Sequence, residues 1–149
     1  MQSPKKLIVY TDGGSRGNPG PAAAGVVVQN EKEETLKTYG QYLGVRTNNE
    51  AEYDAVIIAL KKIKALYGGK VSSGLAIDLR ADSQLLVEQL SDRYKISEER
   101  IGKLYLLVRN LKIGFDKVSF THIPREQNVE ADHLVNEALD AEQRPSLSL

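Results

Sequence analysis

Cysteine and tryptophan are both absent from this 149-residue chain, and methionine occurs once. Without cysteine there is no disulfide, no thiolate zinc site and no cysteine nucleophile. An excess of charge is missing too, since 20 Lys+Arg balance 20 Asp+Glu. A tight, non-specific nucleic-acid binder normally carries a basic excess. Any nucleic acid must therefore be held by local donors and by metal rather than by a bulk field. No apolar run approaches the length of a membrane span, and Met1-Gln2-Ser3-Pro4-Lys5-Lys6 lacks the apolar core of a signal peptide. The cytoplasm is the expected compartment and a monomer the expected state. Nor is there an internal repeat or a low-complexity block.

What is present reads as one domain over residues 1–141, followed by a tail, residues 142–149. The length suffices for a real core. The first third has the pattern of strands. Leu7–Thr11 is a buried run, Ala23–Gln29 is rich in β-branched residues, and Glu33–Leu43 follows a polar turn. Between the first two lies a stretch dense in turn residues, Asp12 to Pro21. Short links between three strands predict an antiparallel meander.

The period then changes. Thr47-Asn48-Asn49-Glu50 has the form of a capping box, and Ala55, Val56, Ala59, Leu60, Ile63 and Tyr67 follow at helical spacing up to Gly68-Gly69. A strand over Leu75–Ala81, helices over Ser83–Leu90 and Ser97–Asn110, a strand over Lys117–Ile123 and a helix over Val129–Ala141 complete the pattern. The expected fold is α/β, a five-stranded mixed sheet in the order βββαβααβα with helices on both faces. Three opening strands without helices exclude a flavodoxin-like arrangement.

Four acids stand where elements begin or end: Asp12, Glu52, Asp82 and Asp132. Glu52 shares the stripe of Val56, Ala59, Leu60 and Ile63 that faces the core, where an unpartnered carboxylate is expensive. Glu50 fits the helix dipole and the cap instead. Taken singly, Asp12 reads as a turn residue before Gly13-Gly14 and Asp82 as an N-cap before Ser83, while Asp132 can be solvated. Together they fall at one edge of the sheet. Carboxylates gathered there resist ionising together unless a cation neutralises them, and a hard divalent ion such as Mg²⁺ takes oxygen ligands. Asp54, Asp78 and Asp92 lack such placement and read as solvated.

These residues also form four blocks that resemble the type 1 ribonuclease H (RNase HI) family. Tyr10-Thr11-Asp12-Gly13-Gly14-Ser15-Arg16-Gly17-Asn18-Pro19-Gly20-Pro21 is similar to its first-strand motif, and Thr47-Asn48-Asn49-Glu50-Ala51-Glu52-Tyr53 to its first helix start. Ala81-Asp82-Ser83-Gln84 is similar to its Asp-Ser-Gln strand end, and Asn128-Val129-Glu130-Ala131-Asp132 to its last helix start. The blocks occur in the family's order across about residues 7–140.

The resemblance implies a ribonuclease H-like fold and an endonuclease that cuts the RNA strand of RNA–DNA hybrids, leaving 5′-phosphate and 3′-hydroxyl ends. By it, Asp12, Glu52, Asp82 and Asp132 hold two Mg²⁺ ions, with Mn²⁺ as an alternative metal. Gly13, Gly14 and Ser15 let the backbone approach the RNA. Thr47, Asn48 and Asn49 read phosphate oxygens, base edges or 2′-hydroxyls, and Asn18 and Gln84 are further substrate contacts.

Two departures qualify the resemblance. Many members have a histidine in the loop before the last acid. Here His122 belongs to the strand Val118–Ile123, which puts Arg125 in the loop; arginine is no general base near neutral pH but can hold a phosphate. Arg125 is the expected contact, His122 the minority alternative, and His133 a surface residue. The basic, tryptophan-containing protrusion of some members is also missing, so this is a compact form. Any grip on the hybrid then falls to residues such as Arg93, Lys95 or Lys103, and discrimination against double-stranded RNA is less secure. Other readings are a catalytically weak nucleic-acid-binding module, an exonuclease, or a nuclease that also acts on double-stranded RNA.

Overall fold

The structure, a computed structural model, describes residues 3–144. Its elements are β1 (Lys6–Ser15), β2 (Gly20–Gln29), β3 (Thr35–Arg46), α1 (Asn48–Ser72), β4 (Ala76–Ala81), α2 (Gln84–Leu90), α3 (Glu99–Lys112), β5 (Lys117–His122) and α4 (Val129–Gln143). A short 3₁₀ turn over Arg125–Gln127 precedes α4. The sheet order is β3-β2-β1-β4-β5. The first three strands form the expected antiparallel meander, and β4 and β5 join β1 in parallel. No helix among the described residues is long and apolar enough to cross a membrane.

The largest difference from the sequence reading is at β1. The strand does not stop at Thr11 but continues through Ser15, with Asp12 opposite Gly25 and Ser15 opposite Ala22. The connecting turn is correspondingly short and contains a cis Asn18–Pro19 peptide bond. Residues that resemble a turn are thus held as strand because β2 supplies the ladder partners. Elsewhere the boundaries move by a few residues. The first helix leaves helical geometry at Gly68 (φ 81°), as its Gly-Gly pair predicts, then resumes one further turn to Ser72. α4 reaches Gln143, two residues past its expected end. The Leu147 and Leu149 portion of the expected tail lies outside the described residues.

Strand alternation divides the sheet into two faces. Leu7, Val9, Val26 and Val28 face one layer, where Val56, Leu60 and Ile63 of α1 meet Leu86 and Val87 of α2 and Ile101 and Val108 of α3. The opposite face carries a much smaller buried cluster of Ala23, Val135 and Leu139, with Tyr42 and Ala138 against it.

Two glycines set how closely the helices approach β1 and β2. A Cβ on Gly13 would overlap the Ala51 carbonyl of α1, and one on Gly25 would overlap the Ala131 carbonyl of α4. These backbone contacts, one on each face, lie beside Asp12.

Candidate functional site

Asp12 projects from β1 on the α4 face, since it lies opposite Gly25 in the antiparallel ladder. The space left by Gly13 lets the N-terminal turn of α1 sit against β1 and brings Glu52 alongside. α1 begins there because Thr47 caps it: its hydroxyl accepts from the Glu50 N–H at 3.1 Å, while the Glu50 carboxylate accepts from the Thr47 N–H at 2.9 Å. Asp82 follows the end of β4. It is not the N-cap of α2; Ser83 takes that role, its hydroxyl accepting from the Leu86 N–H at 3.2 Å, and the Asp82 carboxylate is left for the cleft. Asp132 comes from the first turn of α4, held beside β2 by the Gly25 contact.

The four acids line one open cavity of ≈ 210 Å³, together with Gly13, Gly14, Ser15, Arg16, Asn48, Arg125 and Asn136. Burial first, then the charges of Asp82, Asp132 and Glu52, push the Asp12 carboxyl up to about 8. Glu52 is pushed up to about 7 by burial and by Asp82, against hydrogen bonds from Ser83 and Asn48 that favour its charged form. None of the four is in an ion pair among the described residues.

That charge deficit and an all-carboxylate donor set suit a hard divalent cation. Among the described residues no three such side chains are already disposed as a finished metal cage. Mutual repulsion accounts for carboxylates that line a cleft without closing on a common point.

The other expected site residues divide into groups. Asn48 is central: its Oδ1 accepts from the Ser15 N–H at 3.3 Å, its N–H donates to Asn18 Oδ1 at 3.0 Å, and its Nδ2 donates to Glu52 Oε1 at 3.1 Å. Thr47 is engaged in the cap, whereas Asn49 and Gln84 are exposed. The missing side chain at Gly13 accommodates α1, while Gly14 packs beside Val135 and retains open cavity wall. Arg125 lines the cavity from the 3₁₀ turn. His122 ends β5, exposed and outside the cavity lining, and His133 is exposed against Glu137 at 3.0 Å.

Asp54 and Asp78, read as solvated, are part-buried and paired, whereas Asp92 is exposed as expected. Asp54 is doubly bonded by Arg46, at 2.7 and 3.0 Å. Asp78 is held by Arg80 at 3.1 Å and by the Thr121 hydroxyl at 3.1 Å. Asp92 accepts from the Tyr105 hydroxyl. Arg80 stands two residues from Asp78 on the same strand, whereas Arg46 and Thr121 reach their acids from other elements, which spacing does not reveal. Of the basic residues considered for gripping a substrate, Arg93 pairs with Glu88 and Lys103 with Glu99.

Residues that sequence reasoning did not single out complete the cleft. Arg16 reaches from the β1–β2 turn to α4, donating to Asp140 at 2.7 Å, to Asn136 at 3.5 Å and to Gln143. Asn136, one turn beyond Asp132, donates to the Asp132 carboxylate at 3.4 Å. Asn128 donates to the Thr11 carbonyl at 2.9 Å and to Asp82 Oδ2 at 3.4 Å. An i+4 polar residue after Asp132 was the available signal for Asn136; Arg16 and Asn128 stand inside the quoted blocks, but their contacts span more than 40 residues and are not visible in the spacing.

Residues 10–138 match the family model described as reverse transcriptase-like. The chain is 44% identical to a ribonuclease HI of Halobacterium salinarum over 91% of this chain and 65% of that protein. It is 39% identical to a bifunctional protein of Mycobacterium tuberculosis over 91% of this chain and 36% of that protein. The chain therefore spans less than two thirds of the length of these curated relatives. Among solved structures, compost-derived LC11-RNase H1 in complex with an RNA/DNA hybrid superposes with a TM-score of 0.88 at 42% identity, over 93% of this chain and 99% of that one.

Proposed function

Because this chain belongs to the ribonuclease HI family, we propose that it is an endonuclease that hydrolyses the RNA strand of RNA–DNA hybrids. The observation that carries this reading is the cavity lined by Asp12, Glu52, Asp82 and Asp132, with no ion pair among the described residues to balance them. The similarity to an RNase H1 solved with an RNA/DNA hybrid supports the substrate class.

Asp12, Glu52, Asp82 and Asp132 would hold two Mg²⁺ ions, or Mn²⁺ in their place. Bound metal supplies a water nucleophile at neutral pH and neutralises the charge that develops on the leaving oxygen. The chain's own groups do the rest. Asn48 holds the Glu52 carboxylate by a hydrogen bond, and Asn136 and Asn128 do so for Asp132 and Asp82. Arg125, which lines the cavity, would hold an RNA phosphate as a fixed cation. Asn48, Asn49, Asn18, Gln84 and the backbone of Gly14 and Ser15 present donors and acceptors to the sugar–phosphate edge. Scission at the 3′-oxygen side leaves 5′-phosphate and 3′-hydroxyl ends.

The test is cleavage of an end-labelled hybrid with Mg²⁺ or Mn²⁺, beside Asp132→Asn and a double-stranded RNA control. Internal, metal-dependent cuts in the RNA strand are expected, with Asp132→Asn slower by roughly 10³-fold or more, since several kcal/mol of transition-state stabilisation is lost at tenfold per 1.4 kcal/mol. A folded protein that cuts nothing with either metal would overturn the proposal.

A further inference from the structure

Asn128 departs from what its position calls for. It is the N-cap of α4, a 15-residue helix, and asparagine is among the strongest N-cap residues because its Oδ1 accepts from the first-turn amides. Here no side-chain cap is made. The residue is fully buried, its Nδ2 is directed to the Thr11 carbonyl at 2.9 Å and to Asp82 Oδ2 at 3.4 Å, and its Oδ1 has no partner among the described residues. Forgoing a cap and leaving a buried acceptor unsatisfied both cost stability. A side chain that served only to start α4 would use the Oδ1 and leave the amide to solvent. The observed arrangement does the opposite.

Resting on the activity proposed above, we infer that Asn128 is a positioning residue for Asp82. Its amide ties that carboxylate, which follows the end of β4, to the backbone of Thr11, the neighbour of Asp12 in β1. The spacing of two acids from adjacent parallel strands is thereby fixed by one buried amide that itself touches no substrate. Outer hydrogen bonds of this kind orient metal-binding carboxylates, and their loss typically costs about 10–100-fold in metal affinity or activity.

Two variants separate this role from helix capping. Asn128→Ser can cap α4 through its hydroxyl but has no amide to reach both Thr11 and Asp82, and Asn128→Ala can do neither. Mg²⁺ affinity by titration calorimetry on the full chain, melting temperature, and kcat and KM on a hybrid are measured for each. Both variants are expected to lose about 10–100-fold in Mg²⁺ affinity and in kcat, with KM within about twofold of wild type and Asn128→Ser the more stable of the two. Wild-type Mg²⁺ affinity in Asn128→Ser overturns the assignment.

If neither variant folds, the side-chain amide resonance of Asn128 in the wild-type chain decides. It is expected to shift on Asp82→Asn, and an unmoved resonance rules the contact out. A wild-type chain that binds Mg²⁺ but cuts no hybrid defeats the proposed activity, while the affinity comparison still decides the role of Asn128.

Discussion

The two faces of the sheet hold their halves of the site by different means. On one, the 25-residue α1 is clamped by Val56, Leu60 and Ile63 against β1 and β2 and against α2 and α3, so Glu52 rides on the best-packed element of the fold. On the other, α4 rests on Ala23 through Val135 and Leu139 and is tied by Arg16 to the β1–β2 turn. Asp132 is therefore carried by the more lightly held helix. Asp12 stands between the two, and a glycine beside it admits each helix. The pairing of a rigid half with a lighter one teaches that equal closeness to β1 does not mean equal anchoring.

Filling the two glycines tests the difference in anchoring most severely. Gly13→Ala drives a Cβ into the Ala51 carbonyl of the clamped helix, which has nowhere to go. Overpacking of this kind costs about 1–3 kcal/mol or more, and a folded variant should lose cleavage through displacement of Glu52. Gly25→Ala presses on the Ala131 carbonyl of α4, which can shift outward. Its melting temperature should fall less than that of Gly13→Ala, yet its kcat should drop by roughly 10²-fold, because Asp132 moves with the helix. Equal stability losses at the two positions would contradict the difference in anchoring.

Core truncation sharpens the same contrast. Leu60→Ala, in the thick layer, is expected to cost about 3–5 kcal/mol, and Leu139→Ala, in the thin layer, about 2 kcal/mol, by denaturant unfolding. Native-state hydrogen exchange should find α4 opening at a lower free energy than α1.

Much of this arrangement is legible in the sequence, and the rest is hidden for physical reasons. The βββαβααβα order follows from apolar periodicity and caps, because Thr47-Asn48-Asn49-Glu50 fixes the start of α1 through local bonds alone. The four acids are visible as motif positions at element ends. The extension of β1 through Asp12–Ser15 is not, since Asp-Gly-Gly is turn chemistry until a partner strand supplies the ladder. The reason for Gly13 is equally hidden: the residue it makes room for, Ala51, is close only after folding. Reading Asp54 as solvated fails on the same ground, because Arg46 reaches it from the end of β3; Asp78 differs, since Arg80 is its neighbour two residues along the same strand.

Protonation gives a smaller effect that spans both halves. Asp12 and Glu52 are raised from 3.8 and 4.5 to about 8 and about 7, one on β1 and one on α1. The folded chain thus holds these protons more tightly than the unfolded chain. Their contribution to stability is full below about pH 4 and is lost as pH rises through about 7–8. In metal-free protein the melting temperature should fall from about pH 5 to about pH 8, by roughly 3–6 °C for a destabilisation on the order of 1–2 kcal/mol. Saturating Mg²⁺ should flatten the profile by occupying the ionised acids, and Asp12→Asn should flatten it without metal. A metal-free profile that is level over this range would show that the carboxylates do not burden one another.

The smallest expected effect on stability falls on Arg16. Its guanidinium bridges the β1–β2 turn to Asp140, Asn136 and Gln143, but its side chain is 37% exposed and that of Asp140 63%. An ion pair so wet contributes about 1 kcal/mol or less and weakens with salt. Arg16→Ala should therefore lower the melting temperature by only about 2–4 °C. Its consequence for the site is expected to be larger than that figure suggests. Asn136 is the side chain that donates to Asp132, and Arg16 is what orients Asn136 from outside α4. If α4 is the lightly held half, removing this tie should reduce kcat several-fold while leaving the Glu52 side intact, and Asp140→Asn should do the same in milder form. Should Arg16→Ala retain full kcat, packing by Val135 and Leu139 alone would suffice to fix Asp132, and the two faces would be more alike in strength than their buried clusters imply.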